Sequence, residues 1–328
     1  MPTRAGLNTV AEVRVLIALG GNAMTAPDGN ARPEDQRAAV NEAMRAVAAI
    51  VTDGHQVVLT HGNGPQVGNL LVKNELAASV VPPVPLDWCV AQTQATIGLL
   101  ILDALESSLT AWQSSLTAWP GNPRVAALVS RTLVSEDDPH FRRPSKPIGR
   151  YLPRAQAAAM IQHGQSWQDR GERGWRRVVA SPEPLACLEA PTAVALLEAG
   201  YVVVCAGGGG VAVVRGADGA LRSVEAVIDK DLTASVLALQ LGVDALVIAT
   251  DVEAAVLGWG TPDARQIGAV TAARLRLLAA EGEFADGSMG PKVEAACRFA
   301  ESGGRAVITS VHRLRDALAG NAGTVVTS

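Results

Sequence analysis

Lysine is scarce in this chain, and its few lysines stand in motifs suited to binding an anion. The 28 basic residues include four lysines, Lys73, Lys146, Lys230 and Lys292, and the others are arginines. Lys230 lies between two aspartates in IDKD, which could orient its ammonium, and Lys292 follows GSMGP. Fixed point charges of this kind balance the charge that spreads over the oxygens during phosphoryl transfer. The lysine motifs therefore predict phosphoryl-transfer chemistry.

Two of these lysines also have a simpler interpretation. Lys230 could form an ordinary surface ion pair with its neighbours. Lys146, in RRPSKP, could be a solvated cation. A helix predicted over residues 292–302 favours a functional role for Lys292, because a glycine turn that leads into a helix N-terminus is a natural phosphate site.

Three predicted strands end in glycine-rich turns, which is where an open parallel sheet binds its ligands. The turns are Gly20-Gly21-Asn22, Gly62-Asn63-Gly64 and the glycine run 207–210. Glycine lets backbone N–H groups approach an anion closely. One such turn is most often only a tight connection, but three in one chain favour a binding site. None matches the GxxxxGK[ST] loop or the dehydrogenase GxGxxG pattern with its acidic residue.

A repeating pattern of strand and helix positions these turns. Apolar runs predict buried strands at residues 13–19, 56–60, 201–206, 245–249 and 306–310. Between the first two, apolar residues recur at helical spacing from Pro33 to Gly54. Strand, helix and strand form a βαβ unit with parallel strands. We expect the strand at 306–310 to be the last buried strand.

Two stretches interrupt the pattern. Residues 137–177 are rich in Arg, Pro, Gly and Gln and predict a protruding lid with a helix near residues 154–163. Residues 107–119 contain SSLTAW twice, which predicts a surface extension of a helix. We expect a substrate lobe over residues 1–206, which includes the lid, and a nucleotide-binding lobe over residues 207–328.

Composition excludes several classes of protein. The 328 residues are 48% hydrophobic and carry a formal net charge of −4, so disorder and a basic nucleic-acid surface are excluded as general descriptions. The uncharged apolar runs are far shorter than the ~18 residues of a membrane helix. The four cysteines lack CxxC spacing and the histidines lack HExxH, which argues against disulfides and structural zinc. These features predict a soluble, cytoplasmic protein without nucleic-acid or membrane partners.

Eight motifs, in order from about residue 14 to Thr324, resemble the carbamate kinases of the amino-acid kinase superfamily. The motifs are VLIALGGNA, LTHGNGPQVGN, PLDWCVAQTQATIG, DDPHFRRPSKPIG, GWRRVVASPEP, AGGGGVAVV, VEAVIDKDLTA and DGSMGPKVEAACRF. The resemblance implies a three-layer αβα sandwich with an open, mainly parallel central sheet, and a homodimer. It also implies reversible phosphoryl transfer between MgATP and carbamate, used in arginine or agmatine catabolism to form ATP from carbamoyl phosphate.

The same resemblance implies roles for individual residues. Lys230 and Lys292 match the lysines that neutralise the transferred phosphoryl group, Asp231 matches the aspartate that orients them, and Lys146 matches the lysine of the lid. The implied substrate and phosphoryl site comprises Gly20, Gly21, Asn22, Gly62, Asn63, Gly64, Gly208 and Gly209. The implied nucleotide site comprises Thr250, Asp251, Val252, Met289, Gly290 and Pro291. No protein ligand for a metal is implied, since Mg²⁺ is held mainly by the nucleotide phosphates.

Departures from the wider superfamily narrow the assignment. Many relatives carry a lysine two residues before the first Gly-Gly, where this chain has Ala18, and Lys230 in IDKD is the carbamate kinase alternative. Ala212 replaces a usual proline, and Val256 lies where an aromatic residue often stands. Two alternatives stay open: a kinase for a larger amino-acid carboxylate, and a catalytically idle binding protein with the same fold.

Overall fold

The computed structural model describes residues 12–21, 32–113, 124–285 and 288–328. Within these ranges the strands are β1 (Arg14–Leu19), β2 (Gln56–His61), β3 (Arg124–Ala127), β4 (Arg131–Leu133), β5 (Lys146–Leu152), β6 (Trp167–Asp169), β7 (Trp175–Val179), β8 (Ala186–Cys187), β9 (Tyr201–Val204), β10 (Val211–Arg215), β11 (Leu221–Ser223), β12 (Ala245–Thr250), β13 (Val256–Leu257), β14 (Arg265–Gln266), β15 (Val270–Thr271), β16 (Arg305–Ser310) and β17 (Thr324–Thr327). The helices are α1 (Pro33–Thr52), α2 (Gly64–Ala77), α3 (Leu86–Gln113), α4 (Pro139–Arg142), α5 (Arg154–Ile161), α6 (Ala190–Glu198), α7 (Lys230–Leu241), α8 (Ala272–Ala280), α9 (Met289–Glu301) and α10 (Leu314–Leu318). Asn22, Gly287 and the second SSLTAW copy lie outside the described residues.

Eight strands form the central sheet, in the order β15-β17-β16-β12-β1-β2-β9-β3. The six strands from β16 to β3 run parallel, and β17 runs antiparallel to β16. The prediction that the strand at 306–310 is the last buried strand is wrong, because Thr324 and Val326 are buried in β17. The chain returns after α10 and pairs beside β16, a long-range contact that the local pattern does not show.

Helices cover both faces of this sheet. One face buries Leu197 of α6, Leu237 of α7 and Phe299 of α9. The other face buries Met44 of α1 and Ile101 of α3. The strands between them are apolar on both sides, which is typical of a sheet buried between two helical layers. The predicted three-layer αβα sandwich with a mainly parallel sheet is therefore confirmed.

A separate three-stranded antiparallel sheet, β5-β7-β6, lies within the stretch predicted to protrude. With α5 it encloses a small core that includes Leu152, Met160 and Trp167. We call β5, β6, β7 and α5 the lid, and the rest of the described chain the body. A second small sheet, β11-β10-β4-β8, lies in the body.

Helix α3 is the longest described helix. Its stretch Leu86–Trp112 is long and apolar enough to cross a membrane by length and composition alone, and half of its most apolar part is buried. Ile97, Ile101 and Leu105 are fully buried in the core shared with α1. The apolar character of α3 is thus explained by packing inside the protein.

Candidate active site

The first two glycine turns touch each other at one edge of the central sheet. Leu19 pairs with Ala249 on one side and with His61 on the other, so the parallel strands β1, β2 and β12 end together. A Cβ atom added to Gly62 would lie 2.8 Å from the Gly21 nitrogen. Only glycine permits this approach, and the backbones of the two turns therefore meet.

The third turn, 207–210, closes over the second. Gly208 and Gly209 have φ of 67° and 89°, in the left-handed region that favours glycine. A Cβ atom on Gly208 would overlap the side chain of Asn63, and one on Gly209 would lie 2.7 Å from the Ile228 carbonyl oxygen. The glycines therefore allow this turn to pack between the end of β2 and the segment that leads into α7.

The Asn63 side chain is held by α3 rather than by α2, the helix that it precedes. Its Nδ2 donates to Thr93 Oγ1 at 2.9 Å in a buried contact, and α2 begins at Gly64. Nothing lies within 4 Å of the position of a Cβ atom on Gly64. The turn therefore presents an open helix N-terminus beside the fixed Asn63 amide.

Asp231 holds two of the scarce lysines. Lys230 Nζ donates to one carboxylate oxygen at 2.5 Å, and Lys292 Nζ donates to the other at 3.0 Å. The three side chains are 14%, 12% and 4% exposed for Lys230, Lys292 and Asp231. Burial alone would raise the pKa of Asp231, but the charges and hydrogen bonds of the lysines outweigh burial and lower it. The site keeps an ionised carboxylate that fixes two ammonium groups.

Asp229 has a different role from the one that the IDKD motif suggests. We expected both flanking aspartates to orient Lys230, but Asp229 caps α7 by accepting hydrogen bonds from the backbone N–H groups of Asp231 and Leu232. Its second oxygen lies 3.8 Å from Lys146 Nζ. Sequence reasoning missed this link to the lid, although an aspartate just before a helix is a recognisable N-cap signal.

Lys292 reaches Asp231 from α9. This helix begins at Met289, three residues before the predicted start at Lys292. Lys292 Nζ also donates to the Ser288 carbonyl oxygen at 3.3 Å. Met289, Gly290 and Pro291 form the first turn of α9, and the side chain of Lys292 folds back over that turn.

Of the other predicted nucleotide residues, Thr250 ends β12 beside the first glycine turn. Its Cα atom would lie 3.8 Å from a Cβ atom added to Gly20, whose backbone N–H donates to the Ala249 carbonyl oxygen. Asp251 and Val252 follow directly, and Asp251 is exposed. The structure thus brings this rim to the same sheet edge as the glycine turns.

A cleft of about 530 Å³ lies between α2, the lid and the 207–210 turn. Its walls include Asn63, Gly64, Lys146 and Gly208 from the predicted site. Arg150 and Arg176 line it from the lid. Among the described residues, no group of three or more His, Cys, Asp or Glu side chains could hold a metal ion. The cleft therefore offers cations, amides and glycine backbone to a small anion.

His61 lies at the end of β2 but is not available as a base. Burial lowers the pKa of His61 to about 4, and the nearby charge of Lys230 adds to this effect. The hydrogen bond to the Gly62 carbonyl oxygen raises the pKa but does not outweigh burial. Nδ1 donates to that carbonyl at 3.0 Å, and the Nε2 edge of the ring packs against Gly207. The ring is neutral at pH 7, and its proton-free Nε2, the atom that could accept a proton, is buried against Gly207.

This histidine predicts acid sensitivity of the fold. Between pH 6.5 and 4 the unfolded chain binds a proton at His61 that the native state does not, so this residue should cost about 3 kcal/mol of stability as the pH falls through that range. Denaturant unfolding at several pH values should show a weaker loss for His61→Asn, which should also retain most of kcat. If the free energy of unfolding fell equally with pH in the variant and in the wild type, this prediction would be contradicted.

Comparison with known proteins agrees with this geometry. Residues 13–310 match the profile of the amino acid kinase family. The chain is 43% identical over 320 residues to carbamate kinase of Thermococcus kodakarensis, covering 95% of this chain and 98% of that protein. It is 39% identical to carbamate kinase 1 of Enterococcus faecium, covering 96% and 99%.

A solved structure shows the same similarity across the whole fold. Carbamate kinase from Giardia lamblia bound to AMP-PNP superposes with a TM-score of 0.89, at 37% identity, covering 97% of this chain and 99% of that chain. These matches extend over nearly the full length of both proteins. With its two lysines held on one buried aspartate beside meeting glycine turns, the chain is a member of the carbamate kinases, within the amino acid kinase family.

Proposed function

We propose that this protein transfers a phosphoryl group between ATP and carbamate, and in the reverse direction between carbamoyl phosphate and ADP. The observation that carries the proposal is the pair of ammonium groups on Asp231, fixed at the sheet edge where the turns at Gly21 and Gly62 meet. This pair supplies positive charge where a phosphoryl group passes between two anions.

The proposed mechanism relies on positioning and charge. Carbamate carries an anionic oxygen that attacks phosphorus directly, so no general base is needed, and His61 is engaged elsewhere. Lys230 and Lys292 neutralise the charge on the transferred phosphoryl group, and Asp231 keeps both ammonium groups in place. The turn at Gly20 and Gly21 cradles the phosphoryl oxygens.

The acceptor binds on the other side of the phosphoryl group. The acceptor is surrounded by the two turns that contain Gly62, Asn63, Gly64, Gly208 and Gly209. Lys146 covers the acceptor from the lid.

The nucleotide binds across the edge formed by residues 250–252 and 289–291. A relative of the same fold binds AMP-PNP. Both oxygens of Asp231 pair with lysines, so this carboxylate is not available as a ligand for Mg²⁺. The described residues therefore fit a nucleotide whose own phosphates hold the ion. Mg²⁺ bound with the nucleotide would supply charge neutralisation for the transferred phosphoryl group.

The proposed division into lobes follows from these two sites. Residues 1–206 contribute β1, β2, β9 and β3 to the central sheet, and residues 207–328 contribute the other four strands. The first group carries the turns at Gly21 and Gly62, and the second carries the nucleotide rim together with the 207–210 turn, which reaches across to the acceptor. We place the reaction in the cytoplasm, in arginine or agmatine catabolism, where it runs toward ATP.

A coupled assay tests the activity. Purified protein with Mg²⁺, ADP and carbamoyl phosphate should form ATP, and in the opposite direction it should not phosphorylate N-acetylglutamate, glutamate or aspartate at a comparable rate. Lys230→Met, purified in parallel, measures any contaminating kinase. If a larger amino acid were phosphorylated as fast as carbamate, carbamate would be rejected as the specific substrate. If no turnover exceeded the Lys230→Met background, the alternative of a catalytically idle binding protein would be favoured.

We also propose that the active form is a homodimer that buries the outer face of α3. Trp88 and Leu99 on this face are 63% and 58% exposed, and they lie three helical turns apart on the same side. The neighbouring strand β3 is one of the two edge strands of the central sheet among the described residues. Sedimentation should give a dimer for the wild type and a monomer for Leu99→Asp, and a monomeric wild type would refute the dimer.

A further inference from the structure

The lid and the body are joined by ion pairs with a fixed polarity, in which the cations belong to the lid. Lys146 Nζ lies 3.8 Å from Asp229 Oδ2, and Arg150 Nε donates to Glu75 Oε2 at 2.7 Å. Arg177 of β7 pairs with Glu225 at 3.0 Å. The carboxylates belong to α2 and to the segment around the start of α7. Each of these lid cations therefore has a counter-ion from the body.

Arg176 lines the same cleft but departs from this pattern. No described carboxylate forms an ion pair with it, and its buried Nε atom has no hydrogen-bond partner among the described residues. Its guanidinium lies over the ring of Tyr151, 5.0 Å from the centroid, and Nη1 donates to the Tyr151 hydroxyl at 3.4 Å. The arginine is thus held in place by a neutral side chain and brings an unbalanced positive charge to the cleft.

Arg176 is remote from the lysine of the proposed reaction site. It pairs with Tyr151 across the lid sheet, whereas Lys146 lies at the other end of β5. A bulge in β5 between Ile148 and Tyr151 shortens this path. Along β7, Arg176 lies three residues from Val179, the partner of Lys146, which corresponds to roughly 10 Å between the backbone positions. Carbamoyl phosphate is shorter than this distance. The cleft therefore has two positions for an anion, an inner one at Lys146 and an outer one at Arg176.

We infer that Arg176 forms an outer anion site, where the phosphate dianion of carbamoyl phosphate binds before the molecule moves inward to Lys146. The inference rests on the proposed function for its substrate. An unbalanced cation in the wall of a cleft raises the local concentration of an oppositely charged substrate and its rate of association. Arg176 then acts on the approach of the substrate and takes no part in the transfer step.

Kinetics of ATP formation at saturating ADP separates approach from transfer. At low ionic strength, Arg176→Met should lower kcat/KM for carbamoyl phosphate about tenfold, with kcat and the KM for ADP nearly unchanged. Salt should reduce the difference from the wild type. Arg176→Lys should restore most of kcat/KM, because it returns the charge.

Arg173→Met is the matched control. Arg173 is exposed and, like Arg176, lowers the pKa of the Tyr151 hydroxyl, but it does not line the cleft. It should leave kcat/KM close to the wild-type value. An equal loss in Arg173→Met, or a loss in Arg176→Met that falls on kcat alone, would overturn the outer site while leaving the proposed function intact.

A binding measurement keeps the inference testable without turnover. Calorimetric titration with phosphonoacetamide, a carbamoyl phosphate analogue with a stable P–C bond, should show at least fivefold weaker binding to Arg176→Met than to the wild type, a change of about 1 kcal/mol. Equal binding would overturn the outer site. A wild-type protein that binds the analogue through Arg176 but forms no ATP would refute the proposed function and retain the site.

Discussion

Replacing Lys230 or Lys292 with arginine is expected to lower kcat about a hundredfold, although each variant keeps its positive charge. Both ammonium groups are buried on a single carboxylate, at 2.5 and 3.0 Å from its two oxygens. A guanidinium is longer and planar, so its centre of charge cannot coincide with that of the ammonium. In a preorganised site a displacement of about 1 Å is enough for such a loss. Steady-state kinetics in the ATP-forming direction measures it.

Lys73→Arg is the control for this exchange. Lys73 is exposed on α2, outside every site motif, and its replacement should leave kcat unchanged. The chain uses arginine for most of its cations, so arginine is tolerated in general. A loss below about fivefold in both site variants would show that the lysines do not stabilise the transition state.

Gly62→Ala is expected to reduce kcat by about a hundredfold or more, because the added methyl group pushes the acceptor turn at Gly62 away from the phosphoryl turn at Gly21. Its Cβ atom would lie 2.8 Å from the nitrogen and 2.9 Å from the Cα atom of Gly21. Both are backbone atoms at the ends of buried strands and cannot rotate away. Single-turnover kinetics, with thermal unfolding to confirm that the variant is folded, separates this effect from loss of structure.

Gly268→Ala provides the comparison. Gly268 is exposed, and nothing lies within 4 Å of its Cβ position. It is also remote in sequence from every site motif. This variant should match the wild type in kcat, and a Gly62→Ala enzyme with unchanged kcat would contradict the close contact between the turns.

The sequence predicts the parts of this site that depend on local pattern. Apolar runs predict five of the eight described strands of the central sheet to within two residues, and glycine runs mark the turns at the ends of three of them. The three motif lysines could be selected because lysine is rare here, and the structure brings them close to Asp229 and Asp231. These features are encoded within a few neighbouring residues.

Long-range pairing could not be predicted in the same way. The partner of Asp229 is Lys146 and not Lys230, since the helix cap fixes one oxygen and turns the other toward the lid. The place of β17 and the partner of Arg150 likewise depend on how distant segments pack. Ala206, a non-glycine residue with φ of 55°, shows the same limit, because nothing in its own identity indicates a left-handed backbone.

The position of β1 restricts how the molecule opens. This strand from the first proposed lobe pairs with β12 of the second along five residues and with β2 along six. A hinge between the lobes would have to break that ladder, so rigid-body closure of the kind seen in many two-lobed enzymes is unavailable. Motion that admits substrate is then expected in the lid, which is held to the body by side-chain ion pairs and by the packing of Ile148 and Val179 in one apolar cluster with Leu71. Salt, which screens the exposed ion pairs, is expected to ease access to the site, while the sheet behind it stays fixed.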